Sequence, residues 1–194
     1  MNNFAVSHFF DFITYPEKRW DVLFEEFAQC GATSLAIDSA TGEQMMGRPG
    51  VLKTFRELGE KNGLKFVDAH GLWGGEFWDL NVADPDRRPY MLDQHKLCIR
   101  LMASLGVKTY TLHIGALCCV RNTWLGHEDF LRGLALETLE ALLPVAEKEG
   151  VLICYAIEYQ HRLHSEMPWS CTIGSRYDDS NGTYDKCYQC TADS

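Results

Sequence analysis

Leu105-Gly106-Val107-Lys108-Thr109-Tyr110-Thr111-Leu112-His113-Ile114-Gly115 reads as the end of a helix, a glycine, and a strand with histidine near its far end. Glycine just past a helix takes the left-handed conformation at no steric cost, and so releases the chain into an extended run. Side chains of a strand alternate between faces. Tyr110, Leu112 and Ile114 therefore share one side, and Thr109, Thr111 and His113 the other. The first side is apolar and asks for a hydrophobic layer. The second is polar and cannot lie under one.

The same organisation recurs in both directions. Cys30-Gly31 precedes Ala32–Asp38, Asn62-Gly63 precedes Leu64–His70, and Glu149-Gly150 precedes Val151–Tyr159. The four glycines stand 32, 43 and 44 residues apart, a spacing that fits strand–helix units and hence a parallel sheet. Strands are expected at 4–10, 33–38, 65–70, 108–114 and 152–158. Between them the helices carry start signals. Thr14-Tyr15-Pro16-Glu17 has the form of a capping box, Arg48-Pro49-Gly50 and Asp84-Pro85 open later segments, and His127-Glu128-Asp129 places carboxylates at a helix start. Pro144 falls inside the last helix and is expected to kink it.

Across the strands one face collects Leu35, Ile37, Val67, Ala69, Tyr110, Leu112, Ile153 and Tyr155. The other collects Ala36, Asp38, Asp68, His70, Thr109, Thr111, His113, Cys154, Ala156 and Glu158. A doubly wound open sheet buries both faces in apolar contacts. An α/β fold of the (β/α) TIM-barrel type, with a polar interior opening at the carboxyl ends of the strands, accounts for the asymmetry better. Residues 1–159 supply about five of its eight βα units. A complete barrel usually takes about 250 residues, against 194 in this chain. Residues 160–194 lose the pattern: apolar residues thin out, Ser180-Asn181-Gly182 reads as a turn, and an irregular, poorly ordered tail is expected.

Composition narrows the class. An apolar fraction of 46% suits a globular chain, and a formal net charge of −9 disfavours binding to nucleic acid. No apolar run is long enough to span a membrane, and the amino terminus lacks the pattern of a targeting segment. Cys30, Cys98 and Cys154 fall inside expected helices or strands and read as small core residues. A reduced, cytoplasmic chain follows.

His70, His113 and Glu158 end three successive strands, so a barrel brings them to one mouth. Two imidazoles and a carboxylate form a chemically sensible set for Zn²⁺ or Mn²⁺. Each alone would be explained as a hydrogen-bonded strand end; three at equivalent positions point to a site. Trp73, Phe77 and Trp78 follow the third strand, where their faces could pack on a ligand or cap the barrel rim.

Val67-Asp68-Ala69-His70-Gly71, Tyr110-Thr111-Leu112-His113-Ile114-Gly115 and Ala156-Ile157-Glu158 resemble the third, fourth and fifth strands of the xylose isomerase-like sugar isomerases and epimerases. Leu142-Leu143-Pro144-Val145-Ala146-Glu147 resembles the helix that precedes the fifth. The resemblance implies a divalent metal (Mn, Mg or Zn) and proton transfer beside a carbonyl of a sugar or sugar phosphate. Glu158 would be metal ligand and proton carrier, His113 a catalytic residue and ligand, and His70 a ligand that also lines the substrate site with Trp73 and Trp78. The family's remaining ligands come from later strands, and nothing after Glu158 matches them. An incomplete metal site, weak metal binding and poor turnover are therefore expected of this chain. Two other readings stay open. One is a zinc phosphodiesterase related to the apurinic/apyrimidinic endonucleases, which the acidic charge disfavours. The other is a non-catalytic truncated barrel, whose open sheet edges invite self-association. In the tail, His161-x-x-His164 and Cys187-x-x-Cys190 also have the spacing of a small zinc site, although no apolar core lies between the pairs.

Overall fold

The computed structural model describes residues 4–6, 10–73, 78–113, 126–156, 171–175 and 186–190. Five strands follow one another in parallel: β1 (Phe4–Val6), β2 (Ala32–Ile37), β3 (Lys65–His70), β4 (Thr109–His113) and β5 (Leu152–Ala156). Each pairs with the next in the chain, which is the order of a barrel wall. The helices between them are α1 (Trp20–Gln29), α2 (Ser39–Gly47), α3 (Pro49–Asn62), α4 (Arg88–Ser104) and α5 (Glu128–Glu149). All four junction glycines have positive φ, from 66° at Gly150 to 95° at Gly31, so the helix-to-strand turns form as the sequence requires.

The apolar strand face meets the helices as expected. Leu35, Ile37, Ala69, Tyr110, Leu112 and Ile153 are buried in one core with Phe24, Phe55, Met102, Leu139 and Leu142. Aromatic rings lock α1 and α3 onto β2 and β3. Phe55 stands 5.0 Å from both Phe12 and Trp20, and 5.3 Å from Phe24. Burying one such ring stabilises by about 1.5–3 kcal/mol, so this cluster fixes the helical layer. The register shifts between Phe4 and Ala5 on β1, and again where β2 meets β3. Leu35 pairs with Phe66 but Ala36 pairs with Asp68, so Val67 is an extra residue on β3. The bulge lets Phe66 face the helices, where its ring lies 6.1 Å from Phe55, and still sends Asp68 and His70 to the other side.

Several local expectations change. The stretch Thr14–Glu17 makes no capping box. Thr14 donates to the Asp11 carbonyl, two short 3₁₀ turns occupy Phe12–Thr14 and Glu17–Arg19, and α1 starts at Trp20. Helix α2 has no counterpart in the sequence reading. Asp38 caps it, accepting the Thr41 amide at 2.9 Å and the Thr41 hydroxyl. Burial pushes the Asp38 carboxyl above the usual range, and the hydrogen bonds from Thr41 oppose that rise. Cys98 and Cys154 are buried, but Cys30 is exposed at the end of α1. Pro144 is carried inside α5.

No strand was expected beyond residue 160, yet β6 (Cys171–Ser175) and β7 (Lys186–Cys190) form an antiparallel pair, and β7 adds antiparallel to β5. The resulting sheet has the order β1-β2-β3-β4-β5-β7-β6. The edge of β5, left open by a five-strand reading, is thus taken by the chain itself, and β1 and β6 are the edges among the described strands. No described helix is long and apolar enough to cross a membrane.

Candidate functional site

β3 and β4 are adjacent, and His70 pairs with Thr111 in register. The two strands therefore deliver His70 and His113 to one place at their carboxyl ends. The rings lie 4.8 Å apart between centroids, and the Nε2 atoms face each other at 2.8 Å. The Gly71 carbonyl is 2.8 Å from His70 Nδ1. A carbonyl only accepts, so Nδ1 of His70 carries the proton. In the neutral ring Nε2 is then a lone pair, and Nε2–H of His113 donates to it.

Gly71 is required by this geometry. Its N–H donates to the Thr111 carbonyl at 2.6 Å, and an added Cβ would stand 2.3 Å from Leu112 Cδ2 and 3.0 Å from the Thr111 oxygen. Only the absence of a side chain lets the backbone turn beside β4 and present its carbonyl to His70.

Deeper on the same face, Asp68 accepts hydrogen bonds from Thr109 and Thr111. The polar side of the sheet is thus a connected strip beneath the imidazoles. Trp73, 56% exposed, stands over the pair: its ring is 6.0 Å from that of His113 and 6.5 Å from that of His70. Trp78 has a different surrounding. It is half-buried and packs against Tyr90, 5.9 Å away, at the start of α4. Glu158, Phe77 and the His161-x-x-His164 pair lie outside the described residues, as do the side chains of Cys187 and Cys190. Among the described residues no group of three or more His, Cys, Asp or Glu forms a metal site.

One polar group beside the site escaped the sequence reading. His95, on α4, is fully buried. Its Nε2 is 2.9 Å from the Trp78 carbonyl and its Nδ1 is 3.1 Å from the Tyr110 hydroxyl. That hydroxyl accepts the Leu72 amide at 3.3 Å and lies within hydrogen-bond reach of Cys98. Burial lowers His95 to about 4 and raises Cys98 to about 12, so both are neutral at ordinary pH. The available signal was position: His95 occupies the apolar stripe Met91, His95, Cys98, Ile99, Met102 of α4, where a titratable residue must find buried partners.

The parallel β1–β5 order agrees with the comparisons. Residues 24–165 match the family described as Xylose isomerase-like TIM barrel. The chain belongs to that family. Similar solved structures include a D-tagatose 3-epimerase-like protein (TM-score 0.64, 16% identity, 84% of this chain and 55% of that one). Another is D-psicose 3-epimerase with D-tagatose from Clostridium cellulolyticum H10 (0.59, 17%, 80% and 52%). A third is 3-keto-D-glucoside 4-epimerase from E. coli (0.55, 18%, 75% and 53%). At these identities the likeness is one of fold, and the chain spans about half the length of each. No curated protein matches it in sequence.

Proposed function

We propose that this xylose isomerase-like chain carries a sugar or sugar-phosphate isomerase or epimerase site, in which a proton moves beside a carbonyl with the help of a divalent metal. The observation that carries the reading is the convergence of His70 and His113 through Nε2 at the strand ends, beneath Trp73. The solved epimerases of the same fold support the choice of substrate class.

The donor set fits a metal of the borderline type. His70 donates Nδ1–H to a backbone carbonyl, which fixes the tautomer that leaves Nε2 for an ion. His70 and His113 would hold it with Glu158 as the carboxylate, a combination that suits Zn²⁺ or Mn²⁺ better than Mg²⁺. When bound, such an ion polarises a carbonyl or neighbouring hydroxyl oxygen and makes the adjacent C–H more acidic. The Glu158 carboxylate would take that proton from one position and return it at the other. Trp73 offers an exposed face for the apolar side of a sugar ring. A cytoplasmic location belongs to the same reading.

The test joins calorimetric titration with Mn²⁺ and Zn²⁺ to solvent-deuterium incorporation into D-fructose and D-tagatose. Exchange detects the proton-transfer step even where net conversion is slow. Weak metal binding is expected, lost in His70→Ala and His113→Ala, with slow exchange lost in Glu158→Gln. Metal binding that survives both histidine substitutions, or exchange that survives Glu158→Gln, would remove the assignment.

A further inference from the structure

We infer that His95 is a positioning residue: through Tyr110 it clasps the exit of β3 and sets where Trp73 stands over the histidine pair. The inference gives a specificity role to residues outside the proposed site and rests on that reading only for what the position is used for.

The clasp follows from counting protons. The Trp78 carbonyl only accepts, so His95 donates Nε2–H to it at 2.9 Å. His95 is neutral, so its Nδ1 is a lone pair and receives the Tyr110 hydroxyl proton across 3.1 Å. The Tyr110 oxygen keeps two lone pairs. One takes the Leu72 amide, and Cys98 lies within hydrogen-bond reach of the same hydroxyl. Neither His95 nor Cys98 carries charge at ordinary pH. A single buried imidazole–phenol pair thereby holds two points of the β3-to-α4 connection: Leu72, one residue before Trp73, and Trp78.

Both anchors are rigid. Tyr110 sits in the middle of β4 at 0% exposure, and His95 in the middle of α4 at 0%. Trp78 is also braced from the far side by the Tyr90 ring. The segment that follows is tied down independently, since Arg88 donates to the Val82 carbonyl at 3.0 Å and to Thr138 on α5 at 3.2 Å. Trp73 itself is mostly exposed, so its ring position over His113 depends on the backbone just before it. That backbone is fixed by the Leu72 N–H. Without the clasp His70 would still be held by Gly71, while the turn that carries the indole would lose its anchor at Leu72.

The test uses the whole chain and needs neither metal nor sugar. Ring protons of His113 lie within the ring-current field of Trp73, and Trp73→Leu measures that contribution. In His95→Leu and Tyr110→Phe the His113 signals are expected to move to the Trp73→Leu positions. His95→Gln keeps one donor for Trp78 and one acceptor for Tyr110, and should restore the wild-type positions. In unmodified protein the Leu72 amide should exchange as slowly as those of β4, and in Tyr110→Phe faster by about tenfold, the equivalent of one ordinary hydrogen bond. Folded His95→Leu or Tyr110→Phe protein with unmoved His113 signals would overturn the inference. So would rapid exchange of Leu72 in the wild type, a reading that survives even if both variants fail to fold. Failure of metal binding or deuterium exchange would remove the functional reading and leave these spectra unchanged.

Discussion

Lowering the pH from 7 to 5 should destabilise this protein through His95 alone by about 2 kcal/mol. The unfolded ring titrates near 6.5, whereas burial holds the folded one at about 4. The folded pKa is the depressed one, so the unfolded chain binds the proton first. Stability is fully present above about pH 6.5 and is lost as the pH falls toward 4. Each unit between the two values is worth about 1.4 kcal/mol. At pH 5 the unfolded ring is almost fully charged and the folded ring still almost neutral. The difference there is about 2 kcal/mol, approaching a ceiling of about 3 below pH 4. The groups that face His95 are the Tyr110 hydroxyl and the Trp78 carbonyl, and neither carries charge to offset its ionisation. Asp38 works in the opposite direction. Its carboxyl is raised by burial, so its contribution improves as the pH falls. The measurement must therefore be a difference. Urea unfolding at pH 7 and pH 5 should be run on wild type and on His95→Gln, which does not titrate but keeps both hydrogen bonds. The wild type should lose about 2 kcal/mol more than the variant over that interval. Equal losses, or a His95 signal that titrates like an exposed histidine, would refute the reasoning.

Gly71→Ala should destabilise by roughly 1–3 kcal/mol, because its Cβ lands 2.3 Å from Leu112 and against the Thr111 carbonyl. The same change should disturb the His70 ring signals, since the Gly71 carbonyl holds Nδ1; unfolding curves and a histidine spectrum check both. Asp38→Ala should cost about 1–2 kcal/mol by removing the cap of α2, with the Phe12 and Thr41 amides losing their acceptor. Urea midpoints at pH 7 report it.

What the sequence made legible was periodic. Glycine junctions, alternating strand faces and apolar helix stripes are local patterns, and each registers in consecutive residues. They are sufficient to place five parallel strands and to bring His70 beside His113, because equivalent positions on adjacent parallel strands are neighbours. What stayed hidden depends on contacts between distant segments. Asp38 caps a helix that has weak amphipathic patterning, so periodicity passes over it. The Val67 bulge is a property of pairing with β2, and no pattern within β3 alone reveals that Phe66 and Asp68 can face opposite ways. His95 looks like a polar interruption of a core stripe until Tyr110 and the Trp78 carbonyl are placed around it. The β6–β7 pair arises where turn-rich, polar composition gives strands little signature.

In the proposed site, the spacing of the histidine pair would decide which ligand it takes first. Two nitrogens bound to one tetrahedral ion at about 2.0–2.1 Å stand about 3.4 Å apart. Nε2 to Nε2 here is 2.8 Å, a hydrogen-bond length. Holding an ion through both nitrogens would open the pair by about half an ångström. A sugar hydroxyl inserted between the rings needs about 2.8 Å to each nitrogen, which separates them by roughly 4.6 Å. That opening would be about three times larger, and it would work against a His70 ring pinned by Gly71. Metal ligation would therefore be the smaller displacement, and it would leave the hydrogen bond from His70 to Gly71 intact. The sugar's oxygens would then approach from the side of Trp73, toward the ion and the Glu158 carboxylate, and not between the rings. On this argument His70→Ala and His113→Ala should act on metal affinity before they act on sugar affinity. Trp73→Ala should do the reverse, lowering sugar affinity while leaving the metal titration unchanged. Parallel titrations of the three variants with Zn²⁺ and with D-tagatose separate the two roles. A Trp73→Ala protein that loses the metal as readily as it loses the sugar would show that the indole, and not the histidine pair, organises the site.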